Sequence, residues 1–204
     1  MSEKPDLSIV PPGSPDGDGR RARSERSRAQ IVDAMLSLVS GGNMDPSAAS
    51  VAGEAGVGLR TVFRHFEDMD GLYREMTSRL EAEILPVVMT PWESPDWRGR
   101  LRELVSRRAG IYERIMPIKV AANLRRFQSD WLMHDYKRFL TMERGGLYGL
   151  LSEQVREDEN LFAALEMVTA FQTWRRMRQD QGLDPAQAEA VMSRTVEALI
   201  AGVE

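Results

Sequence analysis

Residues 55–66 read AGVGLRTVFRHF and are followed by EDMDGLY. Gly56 and Gly58 bracket Val57 in a short break, and glycine adopts the positive φ that ends a helix at little cost. Val57 is placed to plug the angle between two helices. After the break, Leu59, Val62, Phe63 and Phe66 recur at helical spacing, which turns them toward a core. Arg60, Thr61, Arg64 and His65 are left on the outward faces. The pattern predicts a short helix with a polar, basic outer edge.

Working outward, RAQIVDAMLSLV from Arg28 to Val39 predicts a first helix from about Ser24 to Ser40. Ile31, Met35, Leu38 and Val39 face inward, and the helix stops at Gly41 and Gly42. Asp45 or Ser47 begins a supporting helix. Its small residues Ala48, Val51, Ala52 and Ala55 allow two short helices to cross closely. On these segments, with DMDGLYREM opening a fourth helix, the chain resembles the amino-terminal domain of the TetR family of bacterial transcriptional regulators. LRTVFRHF matches the family's recognition helix, and order, spacing and residue types agree.

The resemblance implies an all-α fold: a three-helix DNA-binding head with a basic arm at residues 20–67 and a helical regulatory and dimerisation domain at residues 68–204. It implies a cytoplasmic homodimer that binds a quasi-palindromic operator, acts as a repressor and is released by a small apolar or aromatic ligand. Arg60, Thr61 and Arg64 are then expected at the major groove, with Arg60 first for base readout, and His65 at a phosphate. The family position of Phe63 lets its ring edge lie against the DNA backbone. Three residues depart from the family's pattern. Phe63 replaces a common tyrosine, Gly58 replaces a capping Ser or Thr, and Met69 replaces a Lys that contacts DNA. They imply that binding leans on the arm, and they keep open the alternative of a helical interaction protein of this fold that has lost DNA binding.

The net charge of -4 is unevenly spread. Residues 20–66 hold seven arginines against four acidic residues, whereas residues 1–19 hold one Lys against four acids. A basic patch on an acidic body lets one face bind a polyanion while the others stay clear of it. Residues 1–19, rich in Pro, Gly, Asp and Ser, bury too little to order themselves and are expected as a disordered tail. Arg20, Arg21, Arg23, Arg26 and Arg28 then form an arm for phosphates or a minor groove, expected to be disordered without DNA.

The fourth helix is expected to start at the Asp68 cap and run to Pro86, with Leu72, Met76, Leu80 and Ile84 along one side. Residues 97–115 and 117–128 read as two helices divided at Pro117, and a longer helix follows from Ser129 to Val155. Gly145, Gly146 and Gly149 leave open whether that helix breaks. Another apolar helix ends near Gly182, and Asp184, Pro185 and Gln187 give a capped start to the last. Leu161, Leu165, Val168, Phe171, Val191, Thr195 and Leu199 are the candidate dimer interface. Tyr112, Met116, Phe127, Trp131, His134, Tyr136, Met142 and Trp174 are the candidate ligand-binding residues, large or adaptable groups with a few polar tips.

The sequence carries no cysteine, which excludes disulfides, thiolate metal sites and cysteine nucleophiles. Its two histidines, His65 and His134, lack metal-ligand spacing. No phosphate-cradling glycine loop, zinc signature or hydrolase nucleophile motif is present, so neither an enzyme nor a cofactor is expected. The longest apolar run, residues 84–89, is far too short to span a bilayer, and the start lacks a signal peptide's layout.

Overall fold

Capping side chains set most of the helix starts of this chain. Ser47, Asp68, Asp96 and Asp158 each accept a hydrogen bond from a backbone N–H three residues on, satisfying a donor that the first helical turn leaves open, and Ser129 and Asp184 do the same for two further helices. In the computed structural model, which describes residues 15–203, the chain forms ten α-helices and no strand among those residues. They are α1 Pro15–Ser40, α2 Ala48–Glu54, α3 Leu59–His65, α4 Met69–Met89, α5 Trp97–Arg125, α6 Asp130–Leu150, α7 Glu153–Glu157, α8 Glu159–Val168, α9 Phe171–Arg175 and α10 Pro185–Ile200. The all-α expectation holds. Residues 1–14, most of the expected tail, lie outside the described residues.

The head packs α1, α2 and α3 around Ile31, Val32, Met35, Val39, Val51, Ala52, Val62 and Phe66, all buried. α4 leads out of it, burying Leu72, Tyr73 and Met76 against the same core before reaching the body. α5 is the spine of the body. It packs against α1, α4, α6, α9 and α10, which is why buried residues occur along its whole length from Leu101 to Ala122.

Several boundaries differ from expectation. α1 begins at Pro15 rather than near Ser24, so the arginine arm is helical, not disordered. Arginine is a good helix former, and Arg21 and Glu25 form an i,i+4 pair there. α4 runs past Pro86 to Met89, and α5 runs through Pro117 to Arg125. Each proline removes one backbone donor. Around Pro117, buried Tyr112 and Ile115 on one side and Ile118, Ala121 and Ala122 on the other hold the helix in line by packing.

α6 carries Gly145, Gly146 and Gly149 without a break and ends at Leu150, and a short α7 follows. The single helix expected up to Gly182 is instead α8 and α9, divided at Thr169 and Ala170, where the buried Thr169 hydroxyl bonds back to the Leu165 carbonyl. The expected cap of α10 is present: Asp184 and Gln187 form a reciprocal capping box with Pro185 in the first turn.

Candidate functional site

The turn between α2 and α3 is built on Gly56. Its φ of 64° ends α2, with Gly56 N donating to the Gly53 carbonyl at 3.2 Å and Val57 N to the Ala52 carbonyl at 3.0 Å. These are the two bonds of a Schellman stop, which aims the chain into α3 with Val57 packed beneath. Gly58 caps α3 with an extended backbone and no side-chain bond.

On α3, Arg60, Phe63 and Arg64 are exposed, Phe63 to 50%, and Thr61 is half-buried beside them. Neither arginine has an ion pair among the described residues. Val62 and Phe66 are core as expected, but Leu59 and Phe63 are not, Leu59 being 45% exposed beside Gly58 and Phe63 lying on the outer edge. The outer edge of α3 thus presents two unpaired cations, an aromatic ring and a leucine side by side.

Two members of the expected DNA-binding set are committed elsewhere. Arg28 donates from Nη1 to the His65 carbonyl and from Nη2 to Glu75, each at 2.8 Å, and its guanidinium lies 4.4 Å from the Phe66 ring centre. It ties α1 to the end of α3 and to α4, so it is a positioning residue and is not free for a phosphate. His65 has its Nε2 buried without a partner. Burial, then Arg64 and Arg28, lower its pKa from 6.5, so it is a neutral ring rather than a cation. The sequence pattern shows which residues leave a helix face, but not that a neighbouring helix covers one of them.

Further along α1, Arg21, Arg23 and Arg26 are exposed. Arg21 pairs with Glu25, and Arg23 and Arg26 bond weakly to carbonyls four residues back, all in open solvent. Arg20 lies on the same helix, and its side chain is outside the described part. Exposed pairs of this kind exchange readily for other anions.

In the body, α4, α5 and α6 enclose a cavity of about 430 Å³, of the size that holds a small-molecule ligand. α4 contributes Thr77, Leu80, Ile84, Leu85 and Val88; α5 contributes Leu104, Arg107, Arg108, Ile111, Tyr112 and Ile115; α6 contributes Arg138, Phe139, Met142, Glu143 and Gly146. Trp92 lines it from the loop between α4 and α5. Of the eight expected ligand-binding residues, only Tyr112 and Met142 line it. Trp174 is fully buried in the core with its Nε1 bonded to Glu113 at 2.8 Å. Phe127 is 74% exposed at the corner between α5 and α6, and His134 is exposed on α6. Met116, Trp131 and Tyr136 are half-buried outside the cavity, the last two under Arg74 and Arg126.

The expected residues are large and mostly aromatic, whereas much of the cavity wall is aliphatic, from Leu80, Ile84, Leu85 and Val88 of α4 and Leu104, Ile111 and Ile115 of α5. The signal that could have found it is the apolar run from Ile84 to Met89, which continues past the needs of a single helix stripe.

Polar groups cluster at the inner wall. Tyr112 and Phe171 N–H both donate to Glu143 Oε1, and burial pushes the Glu143 carboxyl above its ordinary range against the opposing effect of those bonds. Lys119 pairs with Asp135 at 2.9 Å, and Arg138 bridges Asp135 and Glu81. Burial raises the Asp135 pKa, but Lys119 and Arg138 outweigh it and hold the carboxyl below its usual value.

The same helices reach the head. Arg125 at the end of α5 pairs with Asp45 at 2.6 Å, and Ser129 at the start of α6 bonds Asp70. The cavity wall and the head therefore share α4 and meet again at the corner between α5 and α6. Of the expected interface residues, Leu165, Val168 and Phe171 are buried in the chain's own core and so are unavailable to a partner. Leu161 and Leu199 are half-buried, and Val191 and Thr195 are exposed on α10. The stripes of α8 and α9 finish the protomer instead of extending past it.

No helix among the described residues is long and apolar enough to cross a membrane. No protein-family model matches this sequence, and no curated protein matches it either. Solved structures do. A transcriptional regulator from Rhodococcus sp. RHA1 superposes with a TM-score of 0.63 at 18% identity, covering 88% of this chain and 96% of that one. A TetR-like transcriptional regulator from the same organism gives 0.62 at 15% identity, over 86% of this chain and 96% of its own. A proposed TetR-family regulator from Mesorhizobium loti MAFF303099 gives 0.58 at 19%, over 88% and 97%. The fold of this chain is the fold of those regulators, across both the head and the body.

Proposed function

We propose that this protein is a DNA-binding transcriptional regulator of the TetR type, acting as a homodimeric repressor that a small apolar ligand releases from its operator. The observation that carries this reading is the outer edge of α3, where Arg60 and Arg64 stand exposed and unpaired on a helix stopped and aimed by Gly56. A cation left without a partner on a rigid helix suits a guanine edge or a phosphate. Arg21, Arg23 and Arg26 extend the same basic surface along α1 and serve the phosphate backbone.

Two heads would sit in successive major grooves, roughly 34 to 36 Å apart for half-sites one turn apart. The outward residues Val191 and Thr195 of α10, with Met167 of α8 at 68% exposure, offer the face for the second copy. A ligand in the cavity presses on α4, which begins three residues after Phe66 of the head's core. A differential affinity of about 1 to 3 kcal/mol between the two head spacings is enough to switch binding.

The test is a pair of variants, Arg60→Ala and Arg64→Ala, in anisotropy titrations against a panel of duplexes differing at single base pairs. Each is expected to relax preference at one position by about 1 to 3 kcal/mol while leaving thermal stability unchanged. A panel of affinities that neither variant alters would remove α3 from DNA readout and favour an interaction protein of this fold.

A further inference from the structure

The cavity's charges are not all matched, and the mismatch identifies a ligand chemistry. Arg107 is held by Glu103 and by the Thr90 and Pro91 carbonyls, over the Trp92 ring. Lys119 and Arg138 share Asp135, and Arg138 also takes Glu81. Arg108 differs. It is 93% buried, being 7% exposed, and its bonds go to uncharged acceptors: the Thr169 carbonyl and hydroxyl from Nη1 and the Glu143 carbonyl from Nη2. No carboxylate lies within ion-pair distance of it among the described residues.

The second unmatched group is Glu143. Both bonds to its carboxyl arrive at Oε1, from Tyr112 and from the Phe171 amide, and none reaches Oε2 among the described residues. Oε2 is thus open toward a ligand, and a proton carried there would make it a donor. A buried guanidinium and a carboxyl able to donate thus face one apolar cavity. A carboxylate accepts from the guanidinium and from a protonated Glu143 at once; an ammonium is repelled by the guanidinium, whose charge no carboxylate bonds directly.

We propose that the cavity takes an apolar molecule bearing a single carboxylate, its head group held between Arg108 and the free oxygen of Glu143 and its tail laid along Leu80, Ile84 and Val88 of α4. This rests on the reading of the cavity as the effector site. The tail then bears on the helix that leads into the head, and the acid anchors it to α5 and α6.

Calorimetry on the full chain with decanoate, decylamine and decanol tests the head group at constant tail. Decanoate is expected to bind more tightly than decanol by at least about tenfold, equivalent to 1.4 kcal/mol, with decylamine weakest. Arg108→Gln is expected to erase the preference for decanoate over decanol. Should that variant fail to fold, the three-ligand series on the unaltered protein decides by itself. Glu143→Gln keeps an acceptor for the Phe171 amide and supplies a donor, so decanoate binding is expected to survive it.

Decylamine binding most tightly, decanol binding as well as decanoate, or no binding by any of the three overturns the proposal. Loss of decanoate binding in Glu143→Gln overturns the donor role of that residue. A labelled duplex in parallel separates the two levels. Selective decanoate binding that leaves duplex affinity unchanged supports the head-group assignment and defeats the regulatory reading; release of duplex by decanol or decylamine does the reverse.

Discussion

Replacing Arg28 with leucine separates a cation that holds the head together from the cations that meet DNA. Arg28 makes one bond to the His65 carbonyl, one to Glu75, and a stacking contact with Phe66. Each hydrogen bond contributes about 0.5 to 1.5 kcal/mol, and the ring contact about 0.5 to 1. The Arg28 side chain is 41% exposed, so solvent screening reduces the charge part of the Glu75 bond toward the value of a surface pair. The expected loss is about 1 to 3 kcal/mol of stability, read by urea denaturation followed by circular dichroism. The slope of log affinity against log salt for duplex DNA, from about 50 to 200 mM, should stay at the parent value, because no phosphate contact is removed. The triple variant Arg21→Ala, Arg23→Ala, Arg26→Ala should do the opposite: stability nearly unchanged and a slope shallower by about 2.7 if each arginine neutralises one phosphate. If Arg28→Leu flattens the slope by about one and leaves stability intact, its assignment as a tie between helices is wrong.

Other expectations follow from the same contacts. Gly56→Ala places a Cβ on a φ of 64° and should destabilise the head by about 1 to 2 kcal/mol, whereas Gly58→Ser, at a φ of -71°, should stabilise it by about 0.5 to 1 kcal/mol through a new cap and a stiffer unfolded chain; equal thermal shifts for the two would contradict the geometry of the turn. Asp135→Ala leaves Lys119 buried without its carboxylate and should cost about 3 to 5 kcal/mol, and a loss near zero would mean that water reaches Lys119. His65 has a folded pKa below its unfolded value near 6.5, so the folded state binds the proton less well. Its contribution to stability is complete above pH 6.5 and is lost as pH falls through the folded pKa. His65→Gln should therefore flatten the fall in melting temperature from pH 7 toward pH 5, and an unchanged profile would assign that fall to other groups. Val191→Asp should give monomers by sedimentation, and persistent dimers would move the interface off α10.

The parts legible in the sequence are those fixed by local chemistry. Gly56 followed by Val57 announces a left-handed stop, Asp184 with Gln187 announces a cap, and the spacing of Ile31, Met35 and Val39 announces a buried stripe. The misses lie where distant packing overrides a local rule. Pro117 reads as a helix end because its missing donor is visible in the sequence, while the helices that cover the buried residues on both sides of it and hold α5 straight lie far away along the chain. Thr169 reads as one more helical residue, yet the chain turns there and its carbonyl receives Arg108. Arg28 and Arg64 look alike in sequence; only the position of Glu75, 47 residues on from Arg28, distinguishes a tie from a free cation. The cavity was hidden for a related reason, since an enclosed space is defined by three helices and leaves its trace in each only as an apolar residue.

The central claim, that the α3 edge reads duplex DNA two copies at a time, is tested most directly by selecting bound sequences from a random duplex pool with the purified full chain. The account predicts enrichment of an inverted repeat whose half-sites are centred about one helical turn apart. A pool that stays random after repeated selection, or a consensus with a single unrepeated half-site, would contradict it.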